Sequence, residues 1–480
     1  MTLRYRLLGA GGVLMGGQVV GQACAFVRNI VVARLLSPED FGVAATFGLA
    51  VSMFEMVSNL GVDRLLVQSE DGDDSTFQST AHAFQVMRGV GMSLSLFVLA
   101  WPFSRMFSIP QALWAFQCIA LVPLFRGFLH LDPKRLQREF GFTADVATEL
   151  IPQIVLVLAA FPFVRWFEDY SAMLWLLVLQ SAVMVAVSHA FAKRRYAWAW
   201  EPKQFNRMYA FGWPLLFNGL LMFFILQGDR MIVASGYDMT QLGVYSVAFS
   251  ITFVPTMMIA RVASALLLPL LARNKGNFHK FSEYYLLSIC ILCLLGVAIS
   301  AGFILLGQRI VMLTYGGKYA GVQTYIGWMA IMQMIRVLRV GPTIASMSWG
   351  DTLTPLISNI GRISVFPIAI WLGLTGRPII WVVVTGCMGE LIALLFVVGH
   401  LHHSRGLLAG YTIKPMIIAG LAIAFPGVLL TYAGHSFSWV YSSIELLVVV
   451  GAALVAMLCA VPACRLRIAT VFRSGECQVG

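Results

Sequence analysis

Nine arginines of this 480-residue chain fall inside long apolar stretches: Arg28, Arg64, Arg88, Arg126, Arg230, Arg261, Arg336, Arg339 and Arg362. A guanidinium keeps its charge in any surroundings and recognises carboxylate or phosphate through paired hydrogen bonds. At the centre of a membrane helix an arginine costs at least about 2.5–3.5 kcal/mol, so nine cannot all face lipid. Arg64 and Arg261 lie near segment ends, where they snorkel to headgroups. The others must face a bundle interior or water.

Arg336 and Arg339 are three residues apart and share a helix face. With Arg88, Arg126 and Arg362 they fall in the half of the membrane expected to face the cytoplasm. Together they would line a positive vestibule suited to a polyanionic headgroup such as a diphosphate. Arg28 and Arg230 are further candidates. The competing role for each is a structural clamp on an acid or a helix C-terminus. Acids at depth are few: Glu55, Asp229 and Glu390, candidates for ion coupling or a gate.

The elements that must carry these charges follow from composition. Hydrophobic residues make up 59% of the chain and charged residues only 11%. A globular core cannot hide that much apolar surface behind so few polar groups. A soluble enzyme, a nucleic-acid-binding protein and a disordered scaffold are thereby excluded. About fourteen stretches have the roughly 20 apolar residues that span a bilayer. They lie near 8–33, 41–67, 82–107, 111–131, 143–165, 171–192, 208–234, 242–270, 284–306, 322–345, 354–374, 379–400, 414–433 and 441–463. None alternates at period two, so the expected class is an all-α integral membrane protein.

The net charge of +11 follows from basic loops. With the N-terminus inside, 18 Lys and Arg fall in inner loops and ends, Lys134, Arg135, Arg138, Lys193–Arg195 and Arg465 among them, and six fall outside. That bias predicts both termini in the cytoplasm. The acidic loop Glu70, Asp71, Asp73, Asp74 dissents, but acids weigh little in this rule. Arg4, Arg6 and Ala23-Cys24-Ala25 have the outline of a signal peptide. The stretch between them is broken by Gly16, Gly17, Gln18 and Gln22, which argues for retention. Cys290 and Cys293 form a CxxC without further ligands at zinc spacing. No cofactor, metal or catalytic set is expected, and no nucleic-acid partner. Trp213, Tyr245, Trp328 and Trp381 are placed either to stack on sugar rings or to pack in cores.

Residues 28–43 (RNIVVARLLSPEDFGV) align with 229–244 (DRMIVASGYDMTQLGV) at a shift of 201. Val32, Ala33, Gly42 and Val43 match Val233, Ala234, Gly243 and Val244. Each copy ends a helix, crosses a short loop and starts another. Ser37-Pro38-Glu39-Asp40 supplies an N-cap, a first-turn proline and acids. Asp238 with Gln241 supplies the matching cap. The repeat predicts two pseudo-symmetric six-helix bundles, 1–200 and 201–405, followed by two extra helices and a tail, 406–480. Parallel repeats of this kind place a site between bundles. The alignment puts Arg28 opposite Asp229, at equal depth and able to pair.

The stretch VVARLLSPEDFGVAATFGLAVSMFEMVSNLGVDRLLVQ (31–68) resembles the first helical hairpin of the oligosaccharide flippases in the polysaccharide transporter family. That family belongs to the multidrug/oligosaccharidyl-lipid/polysaccharide exporter superfamily. ARLLSPEDFG and NLG carry most of the likeness. FQVMRGVGMSLSLFVLAWPFSRMF and LFRGFLHLDPKRLQREFGF resemble the segments that follow. The resemblance implies a non-enzymatic flippase of undecaprenyl-diphosphate-linked oligosaccharide, moving repeat units across the bacterial inner membrane. It implies service to exopolysaccharide or lipopolysaccharide synthesis, alternating access, and partnership with membrane lipids and the polymerase and glycosyltransferases of the same pathway. It transfers no invariant site residues. Two other classes compete. A drug or metabolite/cation antiporter of the same superfamily would favour acids over arginines at depth. A membrane glycan polymerase or ligase would need a long outer loop that this chain lacks.

Overall fold

The computed structural model describes residues 3–351, 353–405, 409–433 and 439–460. The tail arginines Arg465, Arg467 and Arg473 lie outside them. Every α- or 3-10 element among the described residues is helical, and no strand occurs. The first helices are α1 (Leu3–Leu35), α2 (Pro38–Val57), α3 (Val62–Gln68), α4 (Ser75–Met106), α5 (Leu113–Cys118) and α6 (Leu121–Gly127). Then come α7 (Asp132–Leu136), α8 (Thr143–Phe167), α9 (Ser171–Ala190), α10 (Pro202–Gly236), α11 (Met239–Asn274) and α12 (Phe278–Thr314). The last are α13 (Gln323–Ser348), α14 (Leu353–Ile363), α15 (Phe366–Leu374), α16 (Ile379–Arg405), α17 (Ala409–Ala433) and α18 (Trp439–Ala460).

Each expected stretch coincides with one helix or with short helices in series, as α2 with α3 or α14 with α15. Among the described residues, ten spans are long and apolar enough to cross a membrane, and eleven with the bent pair Pro110–Gly127 and Asp132–Glu139. The count falls short of fourteen for a physical reason. α1 is diluted by glycine and glutamine, and α13 carries Arg336, Arg339, Gln323 and Gln333. Outward faces are apolar: Val98, Leu158 and Leu447 are 71%, 73% and 73% exposed. Such side chains on a soluble surface would aggregate; here they meet lipid.

The chain divides into two compact units, Met1–Ser246 and Val247–Gly480. The division falls inside α11, not at residue 200. α10, expected in the second bundle, packs on α2 in the first unit. Glycine explains this. A Cβ on Gly219 would stand 1.8 Å from the Met56 carbonyl, and one on Gly212 would stand 2.6 Å from the Leu60 carbonyl. In the second unit α12 is central, packing on α13, α17 and α18 around Phe281, Tyr285, Ile289, Cys293 and Val297. Cys290 and Cys293 belong to that core.

The repeat is a packing fact within the first unit. All eight identical positions are buried, from Val32 and Val233 at 0% exposure to Val244 at 7%, with Gly42 and Gly243 among them. Ser37 accepts from Asp40 N at 3.0 Å, and Asp238 accepts from Gln241 N at 2.7 Å. The two capped turns then meet at their glycines. A Cβ on Gly42 would lie 1.8 Å from the Met239 carbonyl, and one on Gly243 would lie 2.0 Å from the Pro38 carbonyl.

The segment between α9 and α10 (191–201) is strapped to this unit through its main chain. His82 Nδ1 donates to the Ala197 carbonyl at 3.1 Å, and His130 Nε2 to the Arg194 carbonyl at 3.0 Å. Asp132 Oδ2 accepts from Lys193 N and Arg194 N at 2.7 and 3.3 Å. The other nitrogens of the two imidazoles accept main-chain N–H groups, Leu131 on His82 and Asp132 on His130. Arg135 and Arg194 converge on Asp73 at 2.8 and 3.0 Å, and Arg207 grips Asp71 at 2.7 Å. The hydrogen bond from Arg135 holds the Asp73 carboxyl below its ordinary range, as that from Arg207 does for Asp71. These contacts therefore help at neutral pH and are lost only as pH falls below the usual carboxylate range. The acidic loop that dissented from the charge bias is thus a counterion to three basic side chains.

Alanine at Gly42 or Gly243 should lower the melting temperature of the detergent-solubilised protein, because backbone atoms block the methyl group. Gly48 of α2 has no atom within 4 Å of its Cβ position. Gly48→Ala should leave melting unchanged or raise stability by about 0.5–1 kcal/mol. Equal behaviour at the three sites would reject the close-contact account.

Candidate functional site

Each unit gathers buried arginines, and in each a glycine sits beside the charged residue. In the first unit α4 crosses α6 at Gly89 and Gly127, where a Cβ on Gly89 would lie 2.7 Å from the Gly127 Cα. Close approach brings Arg88 and Arg126 into the same region. Arg126 forms an ion pair with Glu55 of α2, and its Nε donates to Ser181 of α9 at 3.3 Å. Gln85 of α4 donates to the Arg126 carbonyl at 3.1 Å. Arg126 and Glu55 thus close on each other, a matched clamp. Arg88 is different: its Nε is sealed from solvent without a hydrogen-bond partner.

In the second unit α14 crosses α16 at Gly361 and Gly389. A Cβ on Gly389 would stand 2.9 Å from the Arg362 carbonyl, and one on Gly361 would stand 2.8 Å from the Phe396 ring. This contact delivers Arg362 to Glu390, Nε to Oε1 at 3.0 Å. From α13, Arg336 Nε bonds the same oxygen, and Arg339 Nη2 lies 3.3 Å from Oε2. Glu390 is fully buried, while Arg336 and Arg362 expose under a tenth of their side chains. Arg339 also donates to Ser358 and Asn359 at 3.2 and 3.1 Å. Arg336 lies over the Phe253 ring at 5.5 Å and donates to Gln333 at 3.4 Å.

Three guanidinium groups therefore share one carboxylate, leaving two positive charges in surplus. Arg336 Nη2 and Gln333 Nε2 are buried donors with no acceptor. Buried polar groups rarely stay unpaired, and the energetic cost of doing so points to a missing partner. Glu390 Oε2, 3.3 Å from Arg339 Nη2, makes no hydrogen bond either, and an anionic acceptor would answer both the two donors and the surplus charge. Beside the cluster, the same helices α14 and α16 enclose an apolar groove of about 590 Å³, lined by Ile357, Ile392, Leu395 and Phe396, with His400 and His403 at its edge.

The other expected site residues sort differently. Arg28 is buried, donates to neighbouring Asn29 at 3.2 Å and leaves its Nε unpartnered. Asp229 accepts from Tyr245 at 3.0 Å and from Arg230 N at 2.9 Å. Arg28 and Asp229 form no ion pair in this structure; Tyr245 and the Arg230 amide hold the carboxylate instead. Arg230 is held by Gln227 at 3.0 Å. Tyr245 is thereby a core residue, and Trp213, Trp328 and Trp381 are between 42% and 53% exposed. Arg64 and Arg261 are exposed, as snorkelling requires. Sequence reasoning found the arginines but missed Gln333, Ser358 and Asn359. Their spacing from Arg336 and Arg362, three or four residues on the same helices, was the available signal.

A family model described as polysaccharide biosynthesis protein matches residues 31–324. The succinoglycan biosynthesis transport protein ExoT of Rhizobium meliloti (strain 1021) is 23% identical over 314 residues, 65% of this chain and 63% of that protein. The teichuronic acid biosynthesis protein TuaB of Bacillus subtilis (strain 168) is 19% identical over 289 residues, 59% of each chain. The matched region thus spans about three-fifths of the length of either relative. Among solved structures, the lipid II flippase MurJ in an inward closed conformation has a TM-score of 0.73 at 13% identity, over 92% of this chain and 98% of that one. An inward-facing multidrug resistance MATE family transporter gives 0.65 at 13% identity, over 85% and 96%. At such identity these likenesses concern the fold alone.

Removing one member of a buried charge cluster costs about 3–5 kcal/mol, since its partners stay charged. Glu390→Gln should therefore lower the melting temperature sharply, and adding Arg336→Met should recover part of the loss. Unchanged melting of Glu390→Gln would show that the carboxylate does not hold the cluster together.

Proposed function

The chain belongs to the polysaccharide biosynthesis protein family, within the superfamily of multidrug, oligosaccharidyl-lipid and polysaccharide exporters, and from that premise we propose that it is a flippase for lipid-diphosphate-linked oligosaccharide. It is a multi-pass membrane transport protein by its apolar helices and its relatives. In our reading it resides in a bacterial inner membrane with both termini in the cytoplasm, and it supplies repeat units for an exopolysaccharide or lipopolysaccharide. The two bundles alternate access, so the cargo enters from the inner leaflet and leaves to the outer.

One observation carries the choice of cargo: Arg336, Arg339 and Arg362 around the single Glu390. A diphosphate presents several acceptor oxygens and a charge that matches the surplus. Arginine forks recognise such oxygens in pairs. The apolar groove between α14 and α16 supports an amphiphilic cargo, one end charged and the other hydrocarbon. An organic cation, the cargo of an antiporter, would be repelled by the same cluster.

A strain lacking the protein should accumulate lipid-linked repeat units and lose surface polysaccharide. Arg339→Gln with Arg362→Gln should fail to restore either while the variant still reaches the membrane. Normal lipid pools and normal polysaccharide in the deletion strain would sink this reading.

A further inference from the structure

The first unit contains a second polar cavity, of about 170 Å³, framed by α3, α4, α7, α8 and α9. Its walls carry Asp63, Arg88, Lys134, Asp145 and Glu149, with Asn59 and Gln85. Lys134 and Asp145 satisfy each other at 2.6 Å. The remaining charges lie within electrostatic reach of one another, Asp63 near Arg88 and Lys134 and Glu149 near Lys134, but without direct contact. Arg88 lines the cavity with a buried, unpartnered Nε. Among the described residues, no ion pair or side-chain hydrogen bond engages Asp63 or Glu149.

Arg88 was expected among the diphosphate ligands. Its setting argues otherwise, because Asp63, Asp145 and Glu149 outnumber Arg88 and Lys134 in the same space and leave it net negative, which disfavours a phosphate. A simple cation meets the opposite objection in Arg88 and Lys134. What suits the cavity is a neutral group that donates and accepts at once. Each hydroxyl of a sugar does both: its proton can go to Asp63 or Glu149, and its lone pairs can take a donor from Arg88 or from the amides of Asn59 and Gln85. The volume would hold about five or six waters at roughly 30 Å³ each, the room that one pyranose ring needs. We propose that this cavity, lined by Asp63, Arg88 and Glu149, is a saccharide subsite that reads one sugar of the lipid-linked glycan. The inference rests on the flippase reading and assigns the sugar to residues apart from the diphosphate cluster.

The test uses the full-length protein in lipid nanodiscs and two probes. One is the lipid-linked oligosaccharide extracted from the deletion strain; the other is sugar-free undecaprenyl diphosphate. Wild-type protein should bind the glycosylated probe more tightly. Asp63→Asn with Glu149→Gln removes the charge-assisted bonds to sugar hydroxyls, so that preference should fall about tenfold or more. Binding of the sugar-free probe should stay within about twofold. Melting temperatures check that both proteins fold. Equal loss for both probes, or an unchanged preference, overturns the subsite. A variant that alters only the sodium or proton dependence of binding overturns it too, in favour of an ion site. If neither probe binds the wild type, the flippase reading itself fails, a result distinct from all of these.

Discussion

An arginine inside a membrane cannot shed its charge by releasing a proton, as a lysine can, or by taking one up, as a carboxylate can. Everything distinctive in this protein follows from where such charges are allowed to sit. Each needs an acceptor at hydrogen-bond distance, and helices with full side chains between them stand too far apart to supply one reliably. The protein meets this need with glycine. Arg88 precedes Gly89, Arg126 precedes Gly127, Arg362 follows Gly361 and Glu390 follows Gly389. At each place the missing side chain lets two helices approach closely, and Arg126, Arg362 and Glu390 are delivered to their partners.

The two units spend this device differently. In the first, Arg126 meets Glu55 one to one, and Lys134 meets Asp145. Stability there is local and self-contained. In the second, three arginines converge on one glutamate, which holds them at mutual distances they would otherwise avoid. Matched clusters hold helices together; a mismatched one also stores an appetite for anions. In the proposed function that difference, more than the number of arginines, is what assigns the diphosphate to Arg336, Arg339 and Arg362.

Much of this was legible in the sequence. Composition gave the membrane class, and the caps at Ser37 and Asp238 marked two equivalent turns whose glycines do meet. The three-residue spacing of Arg336 and Arg339 correctly put them on one face. Other features were out of reach for a physical reason. Helical periodicity says which residues share a face but not which helix that face meets. Hence the repeat could set Arg28 opposite Asp229 without revealing that the carboxylate turns to Tyr245, sixteen residues on. Likewise the division at residue 200 looked natural, yet Gly212 and Gly219 bind α10 to α2 and carry the boundary into α11. The dipeptides that join glycine to a charge were a usable sign of helix crossings, hidden because each half is common by itself.

The strap between α9 and α10 has a different consequence. It is fastened by the carbonyls of Arg194 and Ala197 and the amides of Lys193 and Arg194, groups that every residue but proline offers in full. The imidazoles and the carboxylate that grip it belong to other elements. Substitution along the strap therefore leaves most fastenings in place, whereas inserting or deleting a single residue shifts every one of them out of register. For the stretch joining α9 to α10, the fastening depends on length far more than on composition.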